Sequence, residues 1–373
     1  MLIAGTLAIG GELHEGWIEV EGPSIARCEP GDPPSEPDVR HDGVVAPGFV
    51  DLQVNGAAGH DAAGSAEDLD AVDAAMLAHG VTTYVAVLAS PDAELAARAM
   101  PELERRSADP ASPLAGVHFE GPYISREYIG AHPPERVTDP PEHVPDWMRS
   151  PALAVVTIAP ELTGAAGLIA ELDRLGVMVS LGHSGATAWE TRAAADAGAR
   201  MVTHIFNAMT PIHHRETRLP GAALTDDRLL ISVLSDNVHV AAPALELVRR
   251  AAGDRVVLVS DATPGAHAPP GRYSMSDVEI VRHDDGSIRT PDGRLAGSAL
   301  TLDAHARLWA SLTSASLAEA IQAATERPAS LIGRSARLDR GAPADVVLLD
   351  GRTTEVVSVM RHGRWLDNAA SGG

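Results

Sequence analysis

The chain has 373 residues, enough for a (β/α)₈ barrel with an appended module or for two ordinary domains. Its 45% hydrophobic and 21% charged content supports a sizeable core. Twenty-nine basic against 51 acidic side chains leave a net charge of −22, which argues against nucleic acid as a partner, since that needs a basic face. All 29 basic residues are arginine, so Schiff-base catalysis, P-loop nucleotide hydrolysis and a metal pair bridged by a carboxylated lysine are excluded.

Segment 1–46 reads as short strands, Leu2–Ala8 and Gly16–Val20, followed by the Pro- and acid-rich stretch Glu29–Asp38. Apolar, β-branched runs then recur: Val44–Leu52, Val81–Ala89, Gly116–Phe119, Ala154–Ile158, Val177–Leu181, Met201–Phe206, Ile231–Leu234 and Val256–Val259. Their spacing of about 30 residues is that of a strand plus a helix. Helical patterns fill most gaps, as at Ala66–His79, Pro91–Arg106, Ala188–Ala199 and Ala242–Ala252. Nearly continuous apolar strands suit a parallel sheet buried on both faces, and eight units suit closure into a TIM barrel. A doubly wound sheet is the alternative, but no GxGxxG follows the first strand. The tail returns to short strands at Ala344–Leu349, Val356–Met360 and Gly363–Leu366. The expected architecture is therefore an α/β fold. Residues 47–339 form the (β/α)₈ barrel, and 1–46 with 340–373 form a small β-sandwich from both termini.

Cys28 is the single cysteine, so no disulfide framework or zinc ribbon is available. The first residues lack a basic n-region, and no apolar run reaches membrane-spanning length. A soluble cytoplasmic protein, with no membrane and no nucleic acid as partner, is the expectation.

Most barrel runs end in polar residues: Asp51 and Gln53, Glu120, Glu161, His183, His204, Asp236 with His239, and Asp261. In a barrel these ends share one rim, where active sites are built. Glu120, His183 and His204 can together hold one divalent metal with a position left for water. Asp261 reads equally as a turn residue before Pro264-Gly265 or as a base facing that water. Gly130-Ala131-His132 and His213-His214-Arg215 read either as solvated loops or, in so acidic a chain, as spots for an anionic group.

Six motifs occur in order: Pro47–Gly56, His118-Phe119-Glu120-Gly121-Pro122, Gly182-His183-Ser184, Thr203–Met209, Ser260-Asp261-Ala262 and Leu295-Ala296-Gly297-Ser298. With them the chain resembles the N-acetylglucosamine-6-phosphate deacetylases of the amidohydrolase superfamily, over nearly its whole length. The resemblance implies that Glu120, His183 and His204 are metal ligands, that Asp261 is the catalytic acid/base, and that His132 polarises the acetamido carbonyl. It gives Asn207, Ala208, Arg215 and His239 to the sugar phosphate, Arg215 reaching a neighbouring site in a homodimer. Gln53 and Asn55 would stand behind the ligands. The first strand reads Asp51-Leu52-Gln53 where many amidohydrolases carry His-x-His, so one ion per subunit is expected: Zn²⁺ first, with Fe²⁺, Co²⁺ or Mn²⁺ as alternatives. Asn237 replaces the usual Gly before His239, Thr217 stands where Pro is common, and Arg218 is additional. The expected reaction is hydrolysis of N-acetyl-D-glucosamine 6-phosphate to glucosamine 6-phosphate and acetate. The alternatives are N-acetylgalactosamine 6-phosphate, another N-acyl amine, or a non-catalytic sugar-phosphate sensor.

Overall fold

The computed structural model describes residues 1–366. Its centre is an eight-stranded sheet of β1 (Phe49–Val54), β2 (Val81–Ala89), β3 (Leu114–Glu120), β4 (Leu153–Ile158), β5 (Met178–Leu181), β6 (Met201–Val202), β7 (Leu230–Val233) and β8 (Val256–Leu258). Consecutive strands pair in parallel throughout. At the seam between β8 and β1, the Asn55 N–H donates to the Ala262 carbonyl at 2.7 Å, just beyond the strand ends. Each of the eight runs seen in the sequence overlaps one of these strands.

Three of the helices between them open on a capping side chain. Ser65 and Thr187 each close a capping box, with Asp68 and Glu190, at the heads of helices Ala66–Ala78 and Ala188–Ala197. Asp92 caps helix Ala93–Ser107, whose Leu95, Ala96, Ala99, Met100 and Leu103 are buried at helical spacing. The shorter helices Ala165–Arg174 and Arg218–Leu224 complete the gaps after β4 and β6.

Both termini contribute to one seven-stranded sheet. Its spatial order runs Arg364–Trp365, Val356–Arg361, Val346–Leu349, Val39–Pro47, Leu2–Ile9, Glu12–Glu21, Ser24–Pro30. The sheet bends over its own core: Ile3, Ile18, Ile25, Val45, Val346 and Met360 pack together, and the Ile25 N–H donates to the Ala342 carbonyl at 2.9 Å.

The run Val44–Leu52 corresponds to two elements. Its first part lies in the terminal sheet, and its last part is β1. Gly48 is the joint. A Cβ there would stand 2.1 Å from Thr82 Oγ1 and 2.6 Å from its Cγ2, so only glycine lets β1 leave the terminal sheet alongside β2. Gly48→Ala is expected to destabilise the fold by about 1–3 kcal/mol through overpacking. A lowered denaturant midpoint with unchanged m-value would show this; an unchanged midpoint would refute it.

A three-stranded antiparallel flap, Gly271–Met275, Val278–Arg282 and Ile288–Arg289, follows β8. The sequence reading did not foresee it. Its tip is pinned to the rim: Asp277 pairs with Arg98 at 2.7 Å and Arg136 at 3.0 Å, and the Ser276 N–H donates to Asp61 Oδ2 at 2.7 Å.

Candidate metal and acid–base site

The polar strand ends converge at the carboxyl-terminal rim. Glu120 is the last residue of β3, while His183, His204 and Asp261 follow β5, β6 and β8. These last three hold left-handed backbone angles, φ 50°, 24° and 50°. Such angles cost a non-glycine residue energy and persist where the surroundings over-determine them.

Glu120 Oε1 lies 3.2 Å from His183 Nε2 and 2.9 Å from His204 Nε2, and the two ring nitrogens are 3.1 Å apart. All three side chains are buried. His183 Nδ1 donates to the Tyr128 carbonyl at 2.9 Å, so in the neutral ring Nε2 turns a lone pair toward the carboxylate. Lone pairs facing one another repel unless a cation lies between them. Their spacing is close to the ~3.3 Å between neighbouring ligands around a tetrahedral ion with bonds near 2.0–2.1 Å. The donor set therefore fits a divalent metal. His204 Nδ1 is buried with no partner among the described residues, so packing and the Nε2 contact with Glu120 orient that ring.

Glu120, His132 and His183 also bring ligand atoms within 4.8 Å of one another. His132 is the more distant member, its Nε2 3.9 Å from Glu120 Oε2. Its Nδ1 sits 2.9 Å from Ser90 Oγ. Burial, then the neighbouring His183, pushes its pKa down to about 3, so the ring is neutral.

Behind the ligands lies a polar layer. The Gln53 amide donates to Glu120 Oε1 and to Asp261 Oδ1, each at 3.2 Å, and accepts from Thr203 Oγ1 at 3.1 Å. Asn55 Nδ2 donates to Asp261 Oδ1 at 2.8 Å. Asp261 Oδ1 is thus occupied, which leaves Oδ2 toward the cavity. Gly297 keeps that side open: its φ is +71°, and a Cβ there would stand 2.6 Å from the Asp261 carbonyl and 3.3 Å from Oδ2. Burial, and then the Glu120 charge, raises the Asp261 pKa. Asp51, beneath, is pushed up to about 6 by burial, against hydrogen bonds from Ser260 and Gln53.

The site opens into a cavity of about 380 Å³ whose walls include Asn55, Asn207, Ala208 and His239 with the groups above. His239 Nδ1 lies 2.7 Å from Asp236 Oδ2. Although burial opposes its charge, that contact holds the Asp236 carboxyl well below the usual range. Of the residues singled out in the sequence for metal, acid–base or sugar contact, Arg215 alone is not brought to the cavity. It is exposed on the loop after β6, its Nη1 3.1 Å from His214 Nε2. Asn237 does adopt the left-handed turn that glycine would take, φ 58°. Sequence reasoning missed Tyr128, Met275 and Arg294, which line the cavity from the loop after β3 and from the flap. Arg294 had one usable signal, its place immediately before Leu295-Ala296-Gly297-Ser298.

The Amidohydrolase family model matches residues 44–366. N-acetylglucosamine-6-phosphate deacetylase of Danio rerio is 35% identical over 330 residues, 83% of this chain and 81% of its own length. N-acetylgalactosamine-6-phosphate deacetylase of Escherichia coli O157:H7 is 35% identical over 351 residues, covering 90% and 92%. The crystal structure of N-acetyl-D-glucosamine-6-phosphate deacetylase from Mycobacterium smegmatis superposes with a TM-score of 0.92 at 32% identity, covering 98% of this chain and 100% of that one.

Proposed function

The chain belongs to the amidohydrolase family, among its N-acetylhexosamine-6-phosphate deacetylases, and from that premise we propose that it hydrolyses N-acetyl-D-glucosamine 6-phosphate to glucosamine 6-phosphate and acetate. The observation that carries the proposal is the convergence of Glu120, His183, His204 and Asp261 at the floor of one rim cavity.

Glu120, His183 and His204 would hold one divalent ion, Zn²⁺ first and Fe²⁺, Co²⁺ or Mn²⁺ as alternatives. When bound, such an ion acidifies a water and polarises a carbonyl. The Gln53 amide supports a count of one, because its neutral NH₂ already donates to both Glu120 and Asp261. Asp261 Oδ2 takes the proton of the attacking water and delivers it to the amine nitrogen as the C–N bond breaks. Burial and then the Glu120 charge raise the Asp261 pKa, and a cation held beside Glu120 would offset the second of these and favour the ionised carboxylate. His132, held neutral, steadies the carbonyl oxygen with its Nε2–H while Ser90 Oγ meets Nδ1. His239, Asn207 and Ala208 receive the sugar phosphate.

Arg215 acts across a homodimer interface in this reading. Its exposed loop is flanked by Ile212, 41% exposed, and Trp189, 76% exposed, follows Ala188, whose N–H donates to Glu216 of that loop at 3.3 Å; both side chains are suited to burial against a second copy. Arg215→Ala is expected to raise KM for the phosphorylated sugar about tenfold or more with kcat little changed. An unchanged KM, or a monomer in solution with full activity, would remove Arg215 from the site. No described helix is long and apolar enough to cross a membrane. The free, half-buried Cys28 suits a reducing cytoplasm.

The direct test is product analysis. Release of acetate and glucosamine 6-phosphate in equal amounts is expected, and no release from a metal-loaded sample overturns the proposal. N-acetylgalactosamine 6-phosphate is the second reading, favoured by the equally similar Escherichia coli relative. The ratio of kcat/KM values on the two sugars decides between them.

A further inference from the structure

One arginine lines the cavity among the described residues, Arg294, and the carboxylates Glu120, Glu127 and Asp261 line it too. A phosphate dianion entering such a cavity, in a chain of net charge −22, needs a cation near its path. Arg294 follows the last strand of the flap, and its guanidinium is held at two edges. Nη1 donates to the Gly130 carbonyl, Nε donates to Asp292 Oδ2 at 2.9 Å, and Nη2 lies 2.9 Å from the same oxygen. Three of the five N–H groups of the fork are thereby engaged and two remain. Asp292 is 59% exposed, so its pairing with the guanidinium is a solvent-screened one and leaves the remaining two N–H groups unengaged by it.

Gly130 links this cation to the sugar side of the cavity. A Cβ on Gly130 would stand 3.6 Å from the Ala208 Cβ, so the backbone that Arg294 grips runs against the Asn207–Ala208 turn. At 39% exposure, Arg294 sits toward the mouth, above the buried Glu120 cluster. A substrate whose amide reaches the floor carries its phosphate toward that mouth.

We infer that Arg294 is a specificity-determining residue that contacts the 6-phosphate from within the same chain. The inference rests on the deacetylase reading above. It adds a phosphate contact that requires no second subunit. Arginine suits the role because its planar fork can grip a phosphate with the two free N–H groups while the others fix its orientation.

The test compares kcat and KM for N-acetyl-D-glucosamine with and without the 6-phosphate. Arg294→Ala is expected to raise KM for the phosphorylated sugar about 10- to 100-fold, with kcat within about twofold. Its kcat/KM on the unphosphorylated sugar should be unchanged, which also shows that the variant is folded. Arg294→Lys, keeping the charge and losing the fork, should fall between. An unchanged KM for the phosphorylated sugar overturns the inference. So does an equal loss of kcat on both sugars, which would make Arg294 a positioning residue that holds Gly130 and, through it, His132. Wild-type protein that turns over neither sugar signals failure of the deacetylase reading itself, before any variant is made, whereas wild type that turns over both equally overturns the inference alone.

Discussion

Asp261→Asn lowers kcat by about 10²- to 10⁴-fold, the range expected for loss of a positioned general base and acid. The carboxamide is nearly isosteric, and its oxygen can still accept from Gln53 and Asn55, as Oδ1 does now at 3.2 and 2.8 Å. The NH₂ then takes the place of Oδ2, the atom that faces the cavity and cannot be replaced by a donor if it must accept a proton. The shape of the floor and the ion's ligands are untouched, so metal content and substrate affinity stay within about twofold of wild type while turnover collapses. Steady-state kinetics alongside calorimetric titration with substrate check the two halves separately. Full turnover in the variant would remove Asp261 from the chemistry.

Glu120→Ala, and treatment with a chelator, are expected to converge on one state with less than a tenth of an ion per chain and activity at background. The two imidazoles that remain, His183 and His204, have their Nε2 atoms 3.1 Å apart and no carboxylate between them, a pair that holds a divalent ion weakly. Activity should return to the chelated protein on adding Zn²⁺, and not to the variant. The apo protein should also melt earlier. An ion present at a hundredfold excess over its Kd contributes about 3 kcal/mol to the native state. Elemental analysis with a thermal scan reads both effects. Full activity in metal-free protein would refute the assignment of Glu120, His183 and His204.

What the sequence disclosed follows from burial. All eight barrel strands lie in apolar runs because both of their faces are covered, and Val81–Ala89 matches strand β2 in its full extent. Run Val44–Leu52 was misleading for the same reason. The chain passes from one buried sheet to another at Gly48 with no break in hydrophobicity, and only the close approach of Thr82 marks the joint. The flap was invisible because its strands are short and half exposed, as Gly271–Met275 shows with a single buried residue. For the site, Glu120, His183, His204 and Asp261 were legible because a barrel collects strand ends on one rim. Arg294 and Tyr128 were not, since each reaches the cavity from a connection whose path the local pattern does not encode. Arg215, named from resemblance, lies outside the cavity of its own chain.

The terminal sheet sets the order in which this protein can be completed during synthesis. Strand Val39–Pro47 has Leu2–Ile9 on one side and Val346–Leu349 on the other, and the Gly48 N–H donates to the Asp345 carbonyl at 2.9 Å. Strand Val39–Pro47, the middle strand of the seven, therefore waits for nearly 300 further residues before its second neighbour is made. Throughout that interval the edge of Val39–Pro47 is an unpaired template for other chains. The barrel starts from the far side of Gly48, so an early β1 is tethered to an unfinished sheet. A ribosome that stalls between residues 259 and 346 releases a chain with its barrel sequence complete through β8 and its terminal sheet open. Quality control would meet that species as an exposed strand edge rather than as a missing catalytic residue.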